Sequence, residues 1–323
     1  MTFALASSPA YGADCLVRQV GGRAEWEQLS RRLPMPHLVQ AWAYGEAKAA
    51  EGWGVERLVF EQGGRPLAIC QVQVRRILGL TVAARIERGP QFMAARPTDA
   101  EGRAVYAALR RRWRFGRRGV LCLAPGLVES QSHREWLRAE GFRTRGVAGW
   151  CSAILDLTLG EATLRRQLAA SWRNQLNTAE RSGLGFELSM TPRAVDWILE
   201  RHAEKAREKG FVGPSVSFLR ALQRQAPENF FVARALRDGV PLAGMVVLRF
   251  GRSAECFIGW HEDEAAPVKA DHFVLWNAAL AMGRLGCERF DLGGYPPASE
   301  GRGRFKPDMR GSEYHLMEEW TAF

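Results

Sequence analysis

The chain has no CxxC pair, no HExxH pattern and no apolar run of membrane-spanning length, and each absence removes a class of protein. Its six cysteines (Cys15, Cys70, Cys122, Cys151, Cys256 and Cys287) are scattered, mostly in apolar runs. That is the pattern of buried thiols in a reducing compartment. The six histidines show no ligand spacing, so no metal site is expected. The opening MTFALASSPAYGADC lacks a basic leader and carries Asp14 before Cys15, so neither a signal peptide nor a lipoprotein cleavage site is expected. The expectation is a cytoplasmic protein that meets a membrane only through its surface.

With 323 residues, 46% hydrophobic and 25% charged, the chain can bury a large core and divide into two domains. A net charge of +10 points to an anionic partner: nucleic acid, a phosphorylated cofactor or a membrane face. Much of the excess is arginine, which a GC-rich genome also supplies.

Periodicity predicts helices over 24–32 and 41–50, then strands over 57–62 and 66–74 joined at Gly63-Gly64. A further strand leads into Glu87-Arg88-Gly89-Pro90. A helix over 99–115 and a buried strand over 119–123 follow, with a short helix over 132–140 and a strand over 152–157 closing the first half. The second half repeats the order: one helix over 161–181, a strand over 186–190, helices over 192–209 and 215–225, and strands over 230–237, 241–250 and 254–260. A helix over 271–285 and a strand over 289–292 close it. Gly64-Arg65-Pro66-Leu67-Ala68 returns as Gly239-Val240-Pro241-Leu242-Ala243, beside a turn in each half. The reading is an α/β (α+β type) chain of two copies of one module, each a mixed, mostly antiparallel sheet flanked by helices.

One stretch stands out, FDLGGYPPASEGRGRFK from Phe290 to Lys306. A strand that stops at paired glycines brings backbone amides close to a ligand. A lysine closing a glycine-rich loop suits a phosphate or a developing oxyanion. A basic surface connection is the alternative.

This element order resembles the GNAT acyltransferase module, and two in tandem resemble the Fem family (FemABX) of aminoacyl ligases and the related BioF-like acetyltransferase domain. The resemblance is carried by Gln40-x-Trp42 with Lys48 and Gly52-Trp53, Arg88-Gly89-Pro90, and Ser171-x-Arg173-Asn174 with Ala179 and Gly183. It continues through Leu275-Trp276 with Gly286, Phe290-Asp291-Leu292-Gly293-Gly294 and Phe305-Lys306. It implies a first module over 1–150, completed by a C-terminal strand at about 311–323, and a second over 151–310 that holds the substrate cleft.

The resemblance implies an acyltransferase that joins an activated aminoacyl or acyl group to an amine, in the ligases a cell-envelope or peptidoglycan precursor. Lys306 is the first choice for stabilising the oxyanion, with Phe305 walling the donor pocket. Lys48, Trp42, Arg88, Arg173, Arg207, Phe211, Trp260, Asp291, Gly293 and Gly294 are the candidate substrate contacts. A solvated helix face remains the alternative for Lys48, and a strand-end cap for Asp291. Phe211 stands where the ligases carry tyrosine, and Gln91-Phe92-Met93 lacks the acidic residue expected after the RGP motif. Both departures weaken the case for a UDP-linked acceptor. No tightly bound cofactor is expected. Aminoacyl-tRNA is the favoured co-substrate, because the chain is basic and Trp260–Ala270 lacks a glycine-rich phosphate loop; acyl-CoA, acting on a small-molecule or lipid amine, is the alternative. A non-catalytic binding protein on the same fold is the reading from another class. The basic run Arg110–Arg118 is either a solvated helix face or a platform for tRNA or an anionic membrane. A monomer or weak dimer is expected.

Overall fold

The computed structural model describes residues 15–113, 119–211, 213–295 and 305–322. The N-terminal tail, part of the basic run at 114–118 and most of the glycine-rich loop at 296–304 lie outside them. The first half runs β1 (Leu16–Gln19), α1 (Arg23–Ser30), α2 (Trp42–Ala50), β2 (Gly54–Gln62), β3 (Arg65–Ile77), β4 (Leu80–Glu87), β5 (Gln91–Phe92), α3 (Asp99–Arg112), β6 (Val120–Ala124), α4 (Gln131–Ala139) and β7 (Arg143–Thr144). The second runs β8 (Cys151–Asp156), α5 (Glu161–Gln167), α6 (Ala170–Glu180), β9 (Gly185–Ser189), α7 (Pro192–Lys209), α8 (Val216–Gln225), β10 (Phe230–Arg237), β11 (Val240–Phe250), β12 (Ser253–His261), α9 (Ala270–Arg284), β13 (Arg289–Asp291), β14 (Ser312–His315) and β15 (Trp320–Ala322).

Local chemistry explains the boundaries. Thr98 and Glu101 form a reciprocal capping box at the start of α3, and its last turn carries Arg110, Arg111 and Arg112 against the negative end of the helix dipole. Thr191 caps α7, Pro192 fills its first turn, and Gly210 closes it in the left-handed region. Gly63-Gly64 and Asp238-Gly239 both have positive φ at both turn positions, as a two-residue hairpin with right-handed strand twist requires.

The two sheets have the same strand order. The first reads β1-β2-β3-β4-β6-β15-β7 and the second β9-β10-β11-β12-β13-β8-β14, in mirror listing. In each, the fourth and fifth strands are parallel, β4 with β6 and β12 with β13. A helix makes each crossover, α3 and α9. The sequence repeat lands on matching irregularities. β2–β3 slips register between Phe60 and Glu61, opposite Leu67, and β10–β11 between Ala235 and Leu236, opposite Leu242.

The halves are fastened by one ribbon. β14 pairs with β8 in the second sheet, and β15 pairs with β7 and β6 in the first. Between them Leu316 N–H donates to Trp150 O at 2.8 Å and Glu319 N–H to Val147 O at 2.9 Å, so 143–156 and 312–322 run as one antiparallel pair across both sheets. The C-terminal segment therefore divides: 320–322 completes the first sheet, while 312–315 belongs to the second.

The helix expected over 161–181 is two helices. Leu168 and Ala169 are extended, and Ala169 N–H donates to Asp308 O at 2.9 Å. A bond to a distant segment outweighs helix propensity there.

Each half has its own core, with Trp113, Trp136 and Trp320 in the first and Trp172 and Trp276 in the second. A third cluster crosses the junction, joining Leu38, Val39, Tyr44 and Ala47 to Leu219, Phe218, Ile258 and Trp260.

Gly149 allows the ribbon to cross. A Cβ there would lie 2.1 Å from Leu316 O and 2.4 Å from Met317 O. Gly149→Ala is expected to destabilise the protein by about 1–3 kcal/mol, measured as a lower midpoint in urea unfolding with the far-UV spectrum at low denaturant unchanged. An unchanged midpoint would show that the crossing tolerates a wider spacing.

Candidate active site

The parallel strands behave differently in the two halves. β4 and β6 stay paired from Ala83–Val120 to Glu87–Ala124. β12 and β13 pair only from Ser253–Arg289 to Glu255–Asp291. One residue later β12 bulges: Val247 faces Cys256 and Val246 faces Ile258, leaving Phe257 unpaired against β11. β13 meanwhile turns at Gly293, φ +75°, where a Cβ would meet Cys256 O at 2.1 Å. The strands splay beyond this point, and the β12 edge that faced β13 has no ladder partner among the described residues.

Below the splay sits a buried charged cluster. Glu255 and Asp291 are register partners and both are buried. Arg88, whose left-handed φ of 47° ends β4, reaches across from the first half. Its Nη1 lies 3.1 Å from Glu255 Oε2 and 3.4 Å from Oε1. Its guanidinium stacks 3.7 Å from the Trp150 ring centre. Asp291 accepts from the Ser152 hydroxyl, from Tyr314 OH at 2.5 Å and from Gly293 N–H at 2.8 Å. Burial pushes the Glu255 carboxyl up from its ordinary range, against the pull of Arg88 and with the push of Asp291.

The glycine turn rests on this cluster. Gly294 lies so close to the Trp150 ring that a Cβ would fall 2.5 Å from it. Lys306 Nζ donates to Gly293 O and Gly294 O, both at 3.1 Å. Phe305 packs 4.8 Å from His272 and 6.2 Å from Trp172, and its carbonyl accepts from Trp172 Nε1 at 2.9 Å.

Of the residues singled out in the sequence, Arg88, Asp291, Gly293, Gly294, Phe305 and Lys306 come together here. Lys48 lies on the junction, 4.3 Å over the Phe218 ring and 3.2 Å from Glu51. Phe218 in turn is 6.5 Å from Phe257. Trp260 packs edge-on to Trp197 at 5.1 Å, with Arg201 at 5.6 Å. Arg207 and Phe211 are exposed at the end of α7. Arg173 donates to Arg166 O on the helix pair. Trp42 stacks under Arg57 at 3.5 Å and lines a separate cavity of about 620 Å³ between the halves.

Glu255, Trp150, Ser152, Tyr314 and His37 were not found from the sequence. Glu255 had a signal, a lone charge inside the apolar run Ala254–Trp260.

Residues 165–306 match the family model described as an acetyltransferase (GNAT) domain. The match lies within the second half of the chain. FemX matches with a TM-score of 0.78 at 13% identity, over 95% of this chain and 96% of that one. A tandem GNAT protein from the clavulanic acid biosynthesis pathway matches with a TM-score of 0.56 at 14% identity, over 96% and 98%. L-PGS from Bacillus licheniformis matches with a TM-score of 0.51 at 12% identity, over 85% and 90%. No curated protein sequence matches. At these identities the likeness is one of fold, and the fold is tandem GNAT.

His37 flanks the cluster, 6.0 Å from the Tyr314 ring, with Nε2 buried and unpartnered. Burial, with Arg88 adding, lowers its pKa to about 3. His272 beside Phe305 is lowered to about 4 by burial. A histidine depressed in the folded state stabilises fully above its unfolded pKa, near 6.5, and that contribution is lost as pH falls toward the folded value. Unfolding free energy is therefore expected to fall between pH 6.5 and 4. His37→Leu should flatten the slope by up to about 1.4 kcal/mol per pH unit. Denaturant melts across that range provide the check, and an unchanged slope would mean that His37 is hydrated.

Proposed function

We propose that this tandem GNAT protein is an acyltransferase that forms an amide from an activated aminoacyl or acyl donor and an amine, with the reacting carbonyl held in the splay between β12 and β13. The observation that carries this reading is the Lys306 ammonium on the glycine turn at the splay, half-buried and held by two carbonyls. Two of its three N–H bonds go to these carbonyls, so the charge is preorganised, and the third finds no hydrogen-bond partner among the described residues and can meet an incoming oxygen. In the transfer, the amine nitrogen bonds to the carbonyl carbon, the donor's ester or thioester bond breaks, and the amine proton passes to the leaving oxygen or sulfur. Lys306 stabilises the negative oxygen in between, and Phe305 walls the pocket. Asp291 accepts from three protein donors, one of them the Gly293 N–H, which suits a role in positioning the turn.

Aminoacyl-tRNA is the favoured donor. The chain carries +10, and the link from β12 to α9 is a short 3₁₀ turn, Asp263–Ala265, ending in left-handed Lys269 rather than a glycine-rich phosphate loop. Acyl-CoA is the second reading; the clavulanic acid pathway protein of the same fold is described as being without acetyl-CoA, which names that donor class. Lys48, Trp260, Arg207 and Phe211 line the approach proposed for the amine, with an envelope precursor as one acceptor class.

Purified protein incubated with labelled aminoacyl-tRNAs and, separately, labelled acyl-CoAs should move label into an amine from the first set. Transfer only from the second would establish the CoA reading; binding without turnover in either would establish a binding protein. Lys306→Ala is expected to lower kcat about a hundredfold, roughly 3 kcal/mol, with a smaller change in KM. Losing two carbonyl bonds should also cost about 1–3 kcal/mol of stability, so turnover must be read on protein shown to be folded. Lys306→Arg should recover only part. Near-full turnover by folded Lys306→Ala would move the oxyanion site elsewhere.

A further inference from the structure

The hairpin between β3 and β4 outgrows its sheet. β2 pairs with β3 no further than Gly54–Val74, and β6 meets β4 only from Ala83–Val120. Among the described residues, 75–82 thus form a two-stranded spur with no strand paired on either side, Gly119 meeting Val82 at its base. Hairpin spurs in water are normally polar, yet this one carries Ile77, Leu78, Leu80 and Val82, all exposed, with Leu78 at 98%. Ile77 and Leu80 face each other across the last rung. Leu78 and Gly79 form the turn, with φ of 49° and 79°. The first position of such a turn favours Asn, Asp or Gly, and leucine there gives up turn preference to hold an aliphatic side chain at the tip.

The base of the spur is basic. Arg75 stacks 4.0 Å over Trp53 and donates to Gly52 O at 2.8 Å. Arg76 and Arg112 share one carboxylate, Glu56, at 2.9 and 2.7 Å. Arg110 and Arg111 lie on the same last turn of α3. An aliphatic tip with Arg75, Arg76, Arg112 and a tryptophan at its base is complementary to acyl chains beneath anionic head groups.

We propose that the β3–β4 spur is a membrane-seating tip, which inserts Ile77, Leu78 and Leu80 into an anionic bilayer while the arginine collar binds its phosphates. RNA fits less well, because the tip offers aliphatic groups and no aromatic ring on which bases stack. A second copy of the chain fits less well, because two arginine collars would face each other. β4 runs eight residues from the tip to Arg88, so the buried cluster would stand at most about 27 Å from the inserted tip, and less than that above the head groups. The spur therefore anchors, and the transfer site faces a long head group or a soluble amine. The proposal holds whichever acyl donor is used.

The test is co-sedimentation of the full chain with vesicles of phosphatidylcholine alone and with one part in three of phosphatidylglycerol. Binding is expected to the anionic vesicles, weakened by salt. Leu78→Asn is the decisive variant, because it suits the turn better and the bilayer worse. It should keep or raise the melting temperature and weaken vesicle binding at least tenfold, with Ile77→Ser/Leu80→Ser weakening it further. Equal vesicle binding by Leu78→Asn and wild type would overturn the proposal. So would no binding by the wild type to anionic vesicles. A dimer in light scattering that Leu78→Asn dissociates would instead make the spur a self-association surface and overturn it too.

Discussion

The arrangement depends on one ion pair, Arg88 with Glu255, buried where the two halves meet. Glu255 and Asp291 are neighbours in a parallel ladder and cannot move apart without breaking it. Two carboxylates side by side in a dry interior need separate compensation. Asp291 receives three neutral donors, and Glu255 receives the guanidinium. A buried charge that loses its partner costs about 3–5 kcal/mol, whereas an apolar pair of the same shape in place of both is often neutral. The pair is thus weak evidence for stability and stronger evidence for register. It fixes which residue of the first half meets which strand of the second.

The same arginine reaches the glycine turn by a second route. Its guanidinium stacks on Trp150, Trp150 backs Gly294, and Gly294 O binds Lys306. Trp150 itself lies on the ribbon that joins both sheets. A first half whose own parallel strands stay zipped cannot host a splay, but it supplies the arginine and half of the ribbon that support the one in the second half. Two modules with one strand order have thereby taken unequal tasks.

The duplication was legible in the sequence because it rests on local signals: hairpin turns that need positive φ, alternating strands and capped helices. Gly64–Ala68 and Gly239–Ala243 mark the same bulge in each sheet. Much of the candidate site was legible for a similar reason, since Phe290–Gly294 and Phe305-Lys306 are near in sequence. What was not legible is long-range. The break at Leu168-Ala169 exists for a bond to Asp308, and the division of the C-terminal segment for pairing with β8 and β15's own neighbours. Nothing near Glu255 in the chain says that its partner is 167 residues away. The exposed spur shows the converse limit. Ile77, Leu78 and Leu80 lie past the strand expected over 66–74, and their exposure shows only once the sheet is assembled.

Lys306 draws these strands together. From the sequence it is a loop lysine, free to swing toward a substrate. In the fold its ammonium is held by the carbonyls of the two glycines that create the splay, while its charge also lies near Glu255 and Cys256. In the transfer proposed above, a flexible lysine would lose side-chain entropy on meeting the transition state, whereas one already fixed would lose little. The same bonds that hold the turn closed against Cys256 aim the charge, so the turn's shape and the site's electrostatics cannot be varied separately. That coupling explains why two glycines are needed. Gly293 must approach Cys256 O more closely than any Cβ permits, Gly294 must lie flat on Trp150, and only then do both carbonyls face one ammonium.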